Sequence, residues 1–160
     1  MGPLGVFLGV AAFAGLVVSM LERRNHPNAV GLSLAQACVW FVGMPLFEVY
    51  LPNMAKEVVH VWPVIDVALA VWVAYVWLRD RDGYVLTYLG LLVIQAWLHV
   101  THAAQPTDPS LLKLYKAELN ISFLAQSLCG AWPGLLNVVG RFHDLLRRNS
   151  HRHLPVGHAG

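Results

Sequence analysis

Residues 3–21 read Pro-Leu-Gly-Val-Phe-Leu-Gly-Val-Ala-Ala-Phe-Ala-Gly-Leu-Val-Val-Ser-Met-Leu, a run without one charged side chain. A hydrocarbon slab of ~30 Å is crossed by about 20 apolar residues of helix. A core helix of a water-soluble domain would instead alternate apolar and polar faces. The run has no charged face, so it predicts a membrane span. Glu22-Arg23-Arg24 follows it and no basic region precedes it, which predicts a retained span rather than a cleaved leader.

Four further apolar segments follow, at 34–51, 58–78, 84–103 and 118–139. The stretches between them, 22–33, 52–57, 79–83 and 104–117, carry the polar residues and the breakers Pro27, Gly31, Pro106 and Pro109. Arg79-Asp80-Arg81-Asp82-Gly83 predicts a tight turn between antiparallel spans, with the glycine supplying a positive φ. Gly130, Pro133 and Gly134 interrupt the fifth segment. It either kinks there or splits, with 135–146 as a short extra helix.

The chain has 160 residues, room for one domain. It is 57% hydrophobic and 12% charged, about half the ~25% charge of a soluble domain. The expected fold is therefore all-α: a polytopic transmembrane helix bundle of about five spans over residues 1–142. A basic tail at 143–160, with His143, His151, His153 and His158, is expected to be solvated and disordered. Cys38 and Cys129 lie inside apolar segments and read as small buried hydrophobes, not a disulfide framework. A net charge of +2, with no basic face interleaved with aromatics, argues against nucleic acid as a partner.

Loop charge sets the expected orientation. Arg23, Arg24, Arg79, Arg81, Arg141, Arg147, Arg148 and Arg152 fall on one side, and Lys56, Lys113 and Lys116 on the other. Eight against three places the arginine side, and with it the carboxy terminus, in the cytoplasm. An odd number of spans then leaves the amino terminus outside. The membrane is a bacterial inner membrane or an endoplasmic reticulum membrane.

Depth then sorts the ionisable residues. Glu48 lies near the outer end of the second span, His60 opens the third, and Asp66 lies about two turns further in. His99 and His102 are one turn apart near the outer end of the fourth span, and Glu118 and Asn120 open the fifth. An ionisable group in hydrocarbon costs roughly 2.5–3.5 kcal/mol and turns inward. The bland reading puts Glu48, His60 and His102 at headgroup level, leaving Asp66 and His99 to pair with each other. Gln36, Gln95 and Gln126, each inside a span, read as hydrogen-bonding links between helices.

Two chemical readings compete with the bland one. A carboxylic acid in an apolar pocket keeps its proton near neutral pH and can protonate an alkene or epoxide. The resulting carbocation is stabilised by electron-rich rings in a dry pocket. Trp40, Phe41, Phe47, Tyr50, Trp62, Trp72, Tyr75 and Trp97 supply rings, and also suit interfacial aromatic belts. Alternatively Glu48, His60, Asp66, His99 and His102 are sensible ligands for zinc or iron.

Phe47-Glu48-Val49-Tyr50 and His60-Val61-Trp62-Pro63-Val64-Ile65-Asp66 resemble motifs of the integral-membrane terpene cyclases of fungal meroterpenoid and indole-diterpene biosynthesis, which have bacterial relatives. Asn120-Ile121-Ser122-Phe123 and Gly140-Arg141-Phe142 loosely echo later segments of that family. The resemblance runs over 34–142 and implies proton-initiated cyclisation of a prenylated substrate without a cofactor. It implies Glu48 as proton donor and Asp66 as its partner. The substrate pocket would be lined by Phe47, Tyr50, Trp62, Trp97, His99, His102 and Asn120. Two departures stand out: Phe47 occupies a tryptophan position, and the family's last helix with its second acid is missing from the chain.

Besides the lipid bilayer, a hydrophobic small molecule is the expected partner of an enzyme. The competing class is a non-enzymatic membrane subunit that packs against other membrane proteins or forms a homo-oligomer. The small residues Gly2, Gly5, Gly9, Ala11, Ala12, Ala14 and Gly15 of the first span offer such a surface. A channel or holin-like oligomer ranks last, because it wants a polar stripe along a whole helix.

Overall fold

Pro27, read above as a breaker, starts a helix. The computed structural model of the protein describes residues 3–43, 61–104 and 109–152, and every regular element among them is helical. Helix α1 spans Pro3–Met20, and α2 spans Pro27–Cys38 and runs into a π-helical turn at Val39–Gly43. Helix α3 spans Val61–Asp80, α4 Gly83–Ala104, and α5 Pro109–Arg152. The second helix thus begins seven residues before the expected boundary at 34. Proline fits a first helical turn because its missing amide has no partner there and its φ is already helical.

The turn between α3 and α4 also departs from expectation. Arg81, at φ 60°, takes the left-handed position, and no described glycine has a positive φ. Its amide donates to the Trp77 carbonyl at 2.8 Å, closing α3 with a single bond. Its guanidinium lies 4.7 Å from the Trp77 ring centre, which holds the side chain in place. Gly83 opens α4 instead.

Helix α5 is a single helix with Pro133 inside it, so the fifth segment does not split. It runs past residue 142 to Arg152, helical where a disordered tail is expected. The glycines that look like breakers are contact points. A Cβ on Gly130 would lie 2.6 Å from Ser33 Oγ, and one on Gly134 would collide with the Val18 carbonyl. With Ser127 and Ala131 they form a seam of small residues on which α1 and α2 approach closely.

Helix α5 packs against α1, α2 and α4, while α3 pairs with α4 as an antiparallel hairpin. One core cluster joins Leu32 of α2 to Val73 and Val76 of α3 and to Val85, Tyr88 and Leu92 of α4. A second joins Leu8 and Ala12 of α1 to Trp40 and Phe123. Gly9, Ala12 and Gly15 are buried in these contacts, so much of the small-residue face of α1 is spent inside the molecule.

Beside these apolar clusters the bundle buries several polar side chains and leaves large apolar ones exposed. Phe7, Val10, Phe13, Val71, Trp97, Ile121 and Trp132 are exposed, while Ser33, Gln36, Asp66, His99, Ser122 and Gln126 are buried. Among the described residues two helical stretches, Trp62–Asp80 and Gly83–His102, are long and apolar enough to cross a membrane, and Gly5–Met20 is a shorter apolar one.

Contacts also sort the connections by end. Asn28 Nδ2 donates to Asp80 Oδ2 at 2.7 Å, and His26 meets Tyr84 edge-on. Gly134 abuts Val18 near the same end. The connections bearing Arg23, Arg24, Arg79 and Arg81 therefore lie together, where α5 leaves the bundle towards Arg141 and Arg147. Asp66, His99 and the start of α5 lie at the opposite end.

Candidate functional site

Asp66 sits in the second turn of α3 and His99 in the second-to-last turn of α4. Antiparallel packing of the two helices brings them to one level. Both are buried, at 3% exposure each. His99 Nε2 lies 3.2 Å from Asp66 Oδ2. Neither atom makes a well-directed hydrogen bond to any described residue. The two atoms are therefore close without being joined by a well-directed hydrogen bond.

The other ring nitrogen, His99 Nδ1, is hydrogen-bonded to the Tyr115 hydroxyl. Which of the two carries the proton follows the imidazole tautomer. Tyr115 meets His99 edge-on at 5.7 Å and stacks on His102 at 4.0 Å with an 8° tilt. The phenol is half-buried, whereas Asp66 and His99 are enclosed. The result is a chain from a buried carboxylate through an imidazole to a phenol near the bundle end.

Asp66 Oδ1 accepts from Gln95 Nε2 at 3.3 Å. Gln95 Oε1 in turn accepts from Gln126 Nε2 at 2.8 Å and from Ser122 Oγ at 3.4 Å. About two turns along α4 towards the arginine end, Tyr88 donates to Gln36 Oε1 at 2.8 Å, and Gln36 Nε2 donates to the Phe123 carbonyl at 3.4 Å. All three glutamines thus link helices, as their placement inside the spans predicts. Tyr88→Phe strips Gln36 Oε1 of its donor and costs about 1–2 kcal/mol, readable as a lower melting temperature in detergent.

The sequence-predicted site residues separate into groups. Asp66, His99 and His102 come together around Tyr115. Trp62 is half-buried with its ring beside Gly43, and Asn120 is half-buried on α5. Trp97 is 66% exposed and faces away from the cluster, as do Trp72 and Tyr75 on α3. Of the three, Trp72 keeps one ring edge against Gly31 of α2. Phe47, Glu48, Tyr50 and His60 lie outside the described residues.

Tyr115 is the residue the sequence reading misses, because 104–117 reads as a loop. Pro109 as a first-turn proline is the signal that could have extended the helix over it. Among the described residues no three His, Cys, Asp or Glu side chains converge as a metal-ligand set. His102, a ligand in the alternative metal reading, lies flat on Tyr115, and Glu48 and His60 of that reading lie outside the described residues.

Comparison with known proteins gives no match to a family model, to a curated protein or to a solved structure.

Proposed function

We propose that this chain is an integral membrane protein of about five spans, with its carboxy terminus cytoplasmic and its amino terminus outside. In it, Asp66, His99 and Tyr115 form an acid–base centre for a lipid-soluble substrate. The observation that carries the reading is the Asp66–His99 contact, two buried ionisable groups 3.2 Å apart without a well-directed hydrogen bond between them. Buried polar atoms are nearly always paired, and the exceptions concentrate where chemistry is done. Inside a membrane bundle an ionisable residue marks function by default.

In its specific form the centre is a terpene cyclase acting on a prenylated substrate, as the resemblance around Glu48 and Asp66 implies. Glu48 gives its proton to an epoxide oxygen or alkene carbon, and the tertiary cation is captured by the substrate's own alkenes. The final cation loses a proton to His99, through Tyr115, while Asp66 fixes the ring and stabilises its charge. The product is an isomer of the substrate, so no oxidant, reductant or cofactor is consumed; before the next turnover His99 releases the proton it took and Glu48 takes one up, by exchange with water at the bundle end.

The test uses full-length protein in vesicles, given a prenylated phenol and its terminal epoxide, with chromatography for a cyclised product of unchanged mass. Glu48→Gln abolishes turnover while expression and detergent stability stay near normal, and Tyr115→Phe lowers the rate about 10²-fold. A wild-type chain that converts neither compound sinks the cyclase form. Wild-type rates in Tyr115→Phe remove that residue from the acid–base path.

A second reading is a non-enzymatic membrane subunit, favoured by the way Gln95, Gln126 and Ser122 tie the cluster into three helices. Under it the polar residues serve only helix association. Asp66→Asn then changes stability and partner co-purification together, and no substrate is consumed.

A further inference from the structure

Beyond Gly134 the last helix has left the bundle. Gly134 abuts Val18, close to the end of α1 at Met20. Helix α5 nevertheless continues to Arg152, roughly 27 Å further at 1.5 Å per residue. In its helical register Leu135, Val138, Val139, Phe142 and Leu145 share one arc. Asn137, Arg141, Asp144 and Arg147 share the opposite arc.

Beyond the half-buried Leu135 the apolar arc is bare of the bundle, with Val139 at 65%, Phe142 at 62% and Leu145 at 59% exposure. Arginines outnumber the one acid, Asp144, on the polar arc. The segment leaves from the end that also carries Arg23, Arg24, Arg79 and Arg81. A strongly amphipathic helix with apolar and arginine-rich faces is the pattern of a helix lying in a membrane interface. Pro133 lacks the amide that would bond the Cys129 carbonyl, which gives the helix a place to bend from crossing to lying flat.

We propose that residues 135–152 form an interfacial helix that lays its apolar arc on the acyl boundary and binds anionic phospholipid headgroups through its arginines. The proposal is independent of the Asp66 centre. It shares with the preceding reading only the membrane setting, which incorporation of the chain into vesicles tests separately.

Full-length protein lacking Cys38 and Cys129 is spin-labelled at a cysteine replacing Phe142 or Asp144 and placed in vesicles. One set is rich in phosphatidylglycerol and the other is phosphatidylcholine alone. In the anionic set the label at 142 is shielded from a water-soluble nickel relaxation agent, and the label at 144 is not. Each arginine near an anionic surface shifts the surface-bound population about fivefold. Shielding at 142 therefore falls in phosphatidylcholine and in the R141Q/R147Q variant, while the protein stays incorporated. Equal accessibility at 142 and 144 in the anionic set overturns the proposal. So does shielding that ignores lipid charge, with or without the spectral broadening that marks a second copy as the cover.

Discussion

Truncating Asp66 to alanine lowers the unfolding free energy by about 3–5 kcal/mol, because it leaves a buried, ionisable imidazole without the carboxylate beside it. His99→Ala has a similar cost from the other side. The double variant Asp66→Val with His99→Leu costs much less than the two singles together. Neither buried ionisable group is then left alone, and apolar side chains fill the space. What remains is the stripped Gln95 amide and Tyr115 hydroxyl, which lose their partners on Asp66 and His99, at about 1–2 kcal/mol. Equilibrium unfolding in mixed detergent, run as a double-mutant cycle, measures the coupling. Strictly additive costs would show that the two side chains do not interact at all.

The cycle also separates the two functional readings. A pair kept for stability is replaceable by an apolar pair, since buried ion pairs rarely outperform well-packed hydrophobes. If the double variant folds and is inert towards every prenylated substrate that wild type converts, the pair serves chemistry. If it folds and still associates with the same partners, the pair is structural.

The second large effect belongs to Gly134. A methyl group there collides with the Val18 carbonyl oxygen and lies 2.8 Å from both its carbonyl carbon and Cγ1. Backbone cannot rotate aside as a side chain can, so α1 must move off α5. Gly134→Ala then costs about 1–3 kcal/mol or more, as overpacking does. Gly140→Ala is the control in the same helix, with nothing within 4 Å of the added carbon. It gains up to about 1 kcal/mol from helix propensity. Melting temperatures of opposite sign for the two substitutions confirm the close approach at Gly134. Equal and small shifts would refute it.

Much of this architecture is legible in the chain because apolar run length is a one-dimensional property. Lipid-length runs at 3–21, 58–78 and 84–103 correspond to α1, α3 and α4 within three residues at each end. The breakers mislead where their local meaning depends on context. Pro27 starts a helix, and Gly130 and Gly134 sit in one that does not break. A glycine needed for close helix contact and one needed for a turn are the same letter. Arg81 shows the converse, a left-handed position held by a residue that no turn rule selects.

The site divides in the same way. Asp66 and His99 stand out in the sequence because ionisable groups inside apolar runs are costly and must find partners. Tyr115 does not stand out, because its role exists only once α5 begins at Pro109 and passes beside α4.

By itself, the sequence determined that the described residues are helical, that at least two of its apolar runs are long enough to cross a bilayer, and which ionisable groups inside apolar runs need explaining. Those features follow from composition and spacing along one chain. Only the tertiary structure decided that Asp66 faces His99, that Tyr115 joins them, and that Trp97, Trp72 and Tyr75 turn outwards. Rotation of a helix about its axis is fixed by what its neighbours can accommodate. In this bundle the small-residue seam of α5 against α1 and α2 sets part of that rotation.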